Sequence, residues 1–360
     1  MTIDDKNILW LDLFEFLSYN KKIRILESVN RGQDIRQTFL TNIKIREILT
    51  TEEFNKMALC LNDQYLQIRL DQYDKENIST ITYYDSRYPY LLKEIDSPPL
   101  CLYCKGNIQL LDSFCVGIVG TRKPSEYGIV TTKQFAKALV GQDITIVSGL
   151  ATGVDTIAHK TALENEGKTI AVLAGGFHHI YPAINHKLAN QMMINNLLIT
   201  ENNPDVESYS YLFPIRNRII AGLSKGIVVT EAGEHSGTLH TVNYAIDYNR
   251  EIFVIPGRIN SNESKGCNQI IKQYPNSITL SPDDIFEAFH INTEKISKNT
   301  SVQLDINVQL VLDYIKTEKK TFQQILDYSH LATKELNTIL IELEMQGLIT
   351  KLANNSYIMS

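Results

Sequence analysis

Five short stretches carry residue types that can do chemistry, and each sets glycine beside charged, hydroxyl or aromatic side chains. The first is Gly120-Thr121-Arg122-Lys123. Glycine lets a backbone approach an anion closely, and the planar fork of Arg122 can hold a phosphate through two hydrogen bonds. The second runs from Ser148-Gly149-Leu150-Ala151 through Gly153 and Asp155 to His159, with Asp155 and His159 spaced to pair on one helix face. In the third, Gly175-Gly176-Phe177 leads through Tyr181-Pro182 to Lys187, a cation at a helix start and a plausible phosphate contact. The aromatics Phe177 and Tyr181 have the core as their commoner fate. The fourth is Phe213-Pro214-Ile215-Arg216-Asn217-Arg218. Two arginines two residues apart point in different directions on a helix, so one can serve a ligand and the other the fold. The fifth joins Glu231 to Ser236-Gly237-Thr238, which open a helix and can offer backbone and hydroxyl donors to an anion. Glu231 at a strand end can act as a base or orient an arginine.

The elements that position these stretches alternate regularly. Apolar, β-branched runs occur at Phe114–Val119, Ile144–Val147, Thr169–Leu173, Leu197–Thr200, Ile227–Thr230 and Ile252–Ile255, with helical periodicity between them. Such alternation predicts βαβ units and a parallel sheet covered on both faces, whose ligands bind beyond the carboxyl ends of the strands. Four of the loops directly follow a strand, so they share one rim. Before this region, residues 1–75 show the spacing of short helices. After it, the polar stretch 293–304 reads as a linker, and 305–360 reads as three helices and a small hairpin, a winged helix-turn-helix. From Ser301 onward five lysines face seven acids, a net charge of −2. The candidate recognition helix carries Glu335, Glu342 and Glu344 against Lys334, which favours a protein contact over duplex reading.

Bulk properties set the outer bounds. The 360 residues are enough for two or three domains, and 43% hydrophobic residues against 21% charged exclude a disordered chain. A net charge of −6 means that nucleic-acid binding has to come from a local groove. Five scattered cysteines suit a reducing compartment, and Cys101-x-x-Cys104 lacks a second pair at zinc spacing. No signal peptide or membrane-length apolar run is visible, so a cytoplasmic protein is expected. No Gly-x-Gly-x-x-Gly follows the first strand, Ser148 lacks a Gly-x-Ser-x-Gly setting, and no Walker lysine or metal set is assembled. Several anion-friendly loops without a catalytic triad suit a groove for successive phosphates better than a reaction pocket. Single-stranded nucleic acid fits such a rim, with aromatics available to stack bases.

The ordered motifs resemble those of the DNA-processing protein A family. They are Gly-Thr-Arg-x-x-Ser-x-Tyr-Gly (Gly120 to Gly128), Ser-Gly-Leu-Ala-x-Gly-Val-Asp-x-x-Ala-His (Ser148 to His159) and Tyr-Pro-x-x-Asn-x-x-Leu (Tyr181 to Leu188). Phe-Pro-x-Arg-Asn-Arg-Ile-Ile-Ala-Gly-Leu-Ser (Phe213 to Ser224), Glu-Ala-x-x-x-Ser-Gly-Thr-Leu (Glu231 to Leu239) and Val-Ile-Pro-Gly (Val254 to Gly257) complete the set. The resemblance spans roughly Ile78 to Leu280. Small departures are Glu201-Asn202-Asn203-Pro204 for a more usual Ser-Glu-x-x-Pro, and Thr121 for Ser. It implies an extended Rossmann-like domain over 76–292, flanked by a small helical (SAM-like) domain over 1–75 and a winged-helix domain. It also implies a homodimer that binds single-stranded DNA without sequence preference and loads the RecA recombinase in natural transformation, with no catalytic residue, metal or cofactor. The DNA contacts it implies fall on Arg122, Lys187 and Arg216-Asn217-Arg218, with backbone from Gly120, Ser148 and Gly149; Thr121, Ser236, Gly237 and Thr238 complete the expected site. The competing reading is a Rossmann-like nucleotide-cleaving enzyme of the phosphoribohydrolase kind, although its Pro-Gly-Gly-x-Gly-Thr-x-x-Glu motif is missing. A transcription regulator that reads a particular duplex is a third reading, which the acidic helix opposes.

Overall fold

The β-branched runs assemble into one eight-stranded sheet. The computed structural model of the chain describes residues 1–292, 306–316, 318–345, 348–352 and 356–359. The strands are β1 (Ser79–Thr82), β2 (Cys101–Gly106), β3 (Cys115–Val119), β4 (Thr145–Ser148), β5 (Thr169–Val172), β6 (Leu197–Thr200), β7 (Gly226–Val229) and β8 (Glu251–Val254). Their spatial order is β1-β2-β6-β5-β4-β3-β7-β8. The six strands from β3 to β8 are parallel, and β2 joins β6 antiparallel, with β1 antiparallel outside it. Beyond the expected parallel set, the sheet therefore carries an antiparallel edge. The chain winds from β3 through β4 and β5 to β6, then crosses back to the other side of β3 as β7. A crevice opens at that reversal between β3 and β7, where doubly wound sheets bind ligands.

Alternate side chains of each strand feed different cores, as a period of two requires. Val116 and Ile118 of β3 pack with Phe135, Leu139, Val154 and Ala158 from the helices Glu126–Gly141 and Val154–Glu164. On the other face Val119, Val147 and Val229 meet Ile219, Ile220 and Leu223 of the helix Leu212–Leu223, and Val242 and Ala245 of the helix Thr238–Asp247. Cys101 and Cys104 lie on opposite faces of β2, each in a different core. Both thiols are buried and free, and burial pushes that of Cys104 up to about 12. Two such thiols cannot hold one metal ion together.

Residues 1–75 form six helices, from Ile3–Asp12 to Asp63–Lys75. Thr2 caps the first, accepting from the Asp5 N–H at 3.2 Å while the Asp5 carboxylate accepts from the Thr2 N–H at 2.7 Å. The expected boundary near residue 75 separates helices from strands. The cores run across it, because Trp10, Ile25 and Phe39 belong to one cluster with Tyr103, Ala171, Leu173 and Leu198 of the sheet. Met1–Ile291 forms one compact unit and Asn292–Ser360 another. Among its described residues the second unit has the helices Ile306–Ile315, Phe322–Ser329 and Thr333–Met345, and the strands β9 (Lys320–Thr321), β10 (Ile349–Lys351) and β11 (Ser356–Met359). These strands form an antiparallel sheet in the order β10-β11-β9 around Val311, Ile325, Leu336 and Leu340. The linker expected at 293–304 lies outside the described residues.

Candidate functional site

A groove of about 720 Å³ occupies the crevice beyond the carboxyl ends of β3 and β7. Gly120 and Arg122 from the loop after β3, Arg216 and Asn217 from the helix Leu212–Leu223, and Ser236, Gly237 and Thr238 from the loop after β7 and the helix it opens all line it. The structure thus brings together seven of the expected site residues. Thr121, Ser148, Gly149, Lys187 and Arg218 do not line it.

Arg122 is exposed, and its guanidinium lies 5.5 Å above the centre of the Phe213 ring. The ring of Tyr181 meets Phe213 edge to face at 5.6 Å. Tyr181 is 54% exposed and lines the groove, whereas Phe177 is buried in the core. Of the two aromatics considered from the sequence, one is core and the other faces the open groove. Lys187 is exposed at the start of the helix His186–Asn195, six residues after Tyr181.

Arg216 and Arg218 point different ways, as their spacing requires. Arg216 is 5% exposed and its Nη1 donates to the Gly149 carbonyl at 2.7 Å and to the Val172 carbonyl. It therefore ties the loop after β4 to the end of β5. Burial lowers its pKa to about 10, opposed by Asp155 and reinforced by Arg122, so it stays charged at neutral pH. Gly149 leaves the room the guanidinium occupies, because a Cβ there would sit 2.5 Å from Nη2 of Arg216 and displace it. Arg218 turns away and donates to the Glu201 carboxylate at the end of β6.

Backbone donors of these loops are largely committed. Asp155 accepts from the Gly149 N–H at 3.1 Å and the Ala151 N–H at 3.3 Å. The Ser148 hydroxyl is fully buried and donates to the Ile118 carbonyl at 2.7 Å. The Thr121 N–H donates to the Glu231 carbonyl at 2.7 Å. Gly153 has φ +81°, and a Cβ there would run into the Thr121 and Arg122 carbonyls, so glycine alone lets the second loop pack under the first. Ser236 donates through its hydroxyl to Thr238 Oγ1 at 2.9 Å and accepts from the Thr238 N–H at 3.2 Å, which shapes the start of the helix Thr238–Asp247.

Two sequence readings need correction. Asp155 and His159 do not pair: Asp155 holds the loop N–H groups, and Nδ1 of His159 lies 2.7 Å from the Thr169 hydroxyl. That hydroxyl donates to the Ile146 carbonyl, so Nδ1 of His159 is the donor between them. Burial, helped by Arg216, pushes the His159 pKa down to about 3 and the ring is neutral. Glu231 is neither a free base nor an arginine partner. Its carboxylate accepts from the Ser125 N–H at 2.8 Å and the Ser125 hydroxyl at 2.6 Å, locking the entrance of the helix Glu126–Gly141. His178 lies between the carboxylates of Glu76 at 2.7 Å and Asp205 at 2.8 Å.

Two contributors escape a reading by residue type. Asn185 is buried and donates to the Leu150 carbonyl at 2.8 Å and to Thr156 Oγ1 at 2.8 Å, fastening the Tyr181–Lys187 turn to the second loop. Only its place in the Tyr-Pro-x-x-Asn pattern hinted at it. Ser208 and Ser210 line the groove from the loop after β6, a stretch in which no glycine or cation marks them.

Residues 79–290 match the DNA recombination-mediator protein A family. The chain belongs to that family. It is 35% identical to the DNA processing protein DprA of Streptococcus pneumoniae over 270 residues, covering 70% of this chain and 95% of that protein. Against DprA of Bacillus subtilis the identity is 40% over 219 residues, 61% of this chain and 73% of that one. The X-ray structure of the S. pneumoniae protein superposes with a TM-score of 0.68 at 31% identity, over 80% of this chain and 98% of that one. A structure of DNA processing protein A from Helicobacter pylori, solved for its unique single-stranded DNA binding mode, gives 0.54 at 31% identity over 59% and 95%. Both neighbours share the extended α/β architecture. Among the described residues no helix is long and apolar enough to cross a membrane.

Proposed function

We propose that the chain binds single-stranded DNA in the groove at the β3/β7 crevice, gripping successive phosphates without reading base sequence. The carrying observation is the co-location of an exposed Arg122, Asn217 and the Ser236–Thr238 helix start around one open groove with aromatic walls. The family membership and the single-stranded DNA binding mode described for the H. pylori relative support the same ligand. Within the proposed site the roles divide. Arg122, Lys187, Asn217, Ser236, Gly237, Thr238 and the Gly120 backbone face the strand. Thr121, Ser148, Gly149, Arg216 and Arg218 hold the loops that present them.

On this reading the protein is a non-catalytic, cytoplasmic homodimer that protects incoming DNA and delivers it to the RecA recombinase in natural transformation. The segments 1–75, 76–292 and 305–360 are then a small helical domain, the DNA-binding domain and a winged helix, the last serving a protein contact through its acidic helix. The nucleotide-cleaving alternative needs a carboxylate free to act as a base, and Ser125 engages Glu231. The test is a titration of labelled oligo-dT against wild type, Arg122→Ala and Lys187→Ala. Each variant is expected to bind several-fold more weakly while melting like wild type. Unchanged binding by both would remove the groove from consideration.

A further inference from the structure

The segment Ser208-Tyr209-Ser210-Tyr211 divides its side chains between two sides. Ser208 and Ser210 face the groove, while Tyr209 and Tyr211 stand outside it. Their rings are parallel within 8° with centroids 5.9 Å apart, and they are 49% and 61% exposed. Two large rings stacked on each other in solvent are a poor use of apolar surface unless something else covers them. They are also held in place: the Ser208 hydroxyl donates to the His179 carbonyl at 2.6 Å, the Tyr209 N–H to the Glu207 carbonyl at 2.9 Å, and the Leu212 N–H to the Tyr209 carbonyl at 3.0 Å. Leu212 opens the helix that carries Arg216 and Asn217, so the pair sits on the shoulder of the same groove. Glu207 beside Tyr209 raises that phenol above its ordinary value, which keeps the ring uncharged through neutral pH.

Resting on the single-strand reading above, we infer that Tyr209 and Tyr211 form a base-stacking subsite where a strand leaves the phosphate groove over the Ser208–Tyr211 rim. Every base has a π-face, so such a platform adds affinity without sequence preference, and a ring already stacked on its neighbour loses little freedom on binding. The subsite takes nucleobases and is indifferent to the phosphate chain. The groove beside Arg122 has the opposite preference.

That division defines the experiment. Affinities are measured for oligo-dT and for an abasic phosphodiester strand of equal length, using wild type, Tyr209→Ala/Tyr211→Ala, Tyr209→Phe/Tyr211→Phe and Arg122→Ala. The double alanine variant is expected to bind oligo-dT roughly tenfold more weakly, the loss of about one stacked base, with the abasic strand bound as by wild type. The double phenylalanine variant is expected to match wild type on both strands, and Arg122→Ala to weaken both alike. If Arg122→Ala weakens both strands but the double alanine variant binds oligo-dT like wild type, the tyrosine subsite alone is wrong, and the pair serves some other surface. Equal losses on the two strands from the alanine variant would also overturn it, as a disturbed loop. If wild type binds neither strand, the subsite falls together with the single-strand reading.

Discussion

Arg122 and Arg216 share one groove, yet their surroundings give them different work. Arg122 is exposed and braced on Phe213, free to meet a phosphate. Arg216 spends Nη1 on the carbonyls of Gly149 and Val172, which end two strands and fix the loop beneath the groove. Replacing it with lysine keeps the charge but loses the planar group whose Nη1 reaches both carbonyls while its Nε donates to Asn217 Oδ1 at 3.2 Å. Arg216→Lys is therefore expected to cost ~2–4 kcal/mol in a denaturant melt, with the salt dependence of DNA binding unchanged. A loss of salt dependence with unaltered stability would make Arg216 a direct contact instead. The sequence shows that two arginines two apart must diverge. It does not show which one is buried, because that depends on Gly149, 67 positions away, leaving room for a guanidinium. Glu231 was misread for the same reason. A carboxylate at a strand end suggests a base, and its partner Ser125 lies 106 residues earlier.

At the scale of elements, reading the sequence works where a rule is local. The runs of valine and isoleucine place β3 to β8 within a residue or two of their ends, and the glycine-bearing loops fall on the carboxyl rim as expected. What is not local is how the helices of residues 1–75 attach. One fastening is His178, whose ring nitrogens face Glu76, which ends the helix Asp63–Lys75, and Asp205 in the loop after β6. Arg69 shares Asp205 at 3.1 Å, and Lys105 acts on Glu76 from β2. The hydrogen bond to Glu76, with help from Asp205, raises the His178 pKa above its usual value. A raised histidine pKa stabilises the fold fully below about pH 6.5, the unfolded value, and the contribution disappears as pH climbs through the folded value. The melting temperature of wild type is accordingly expected to exceed that of His178→Gln at pH 6, with the gap closing by pH 9. The cluster is partly exposed, so the gap is expected to be small. A gap that widens toward pH 9 would show that the ring acts as a neutral hydrogen-bonding group.

For the whole molecule, the division of cores matters more than the boundaries of secondary structure. Met1–Ile291 is one unit because the first helices cover Ala171, Leu173 and Leu198 on the sheet. A fragment of residues 1–291 is expected to unfold in one cooperative step, whereas a fragment starting at residue 76 uncovers that apolar face and is expected to aggregate. A soluble, cooperatively folded 76–291 fragment would show that the helical segment is dispensable. The net charge of −6 sets the other global expectation: affinity for a polyanion has to arise locally and fade as salt screens it. The most direct measurement is a salt series of anisotropy titrations on labelled oligo-dT and its duplex, for wild type and Arg122→Ala. The account predicts tight, salt-sensitive binding of the single strand, much weaker duplex binding, and a log K against log salt slope about 0.7 shallower in the variant, the loss of one phosphate contact. A wild-type slope near zero, or equal slopes for wild type and variant, would contradict it.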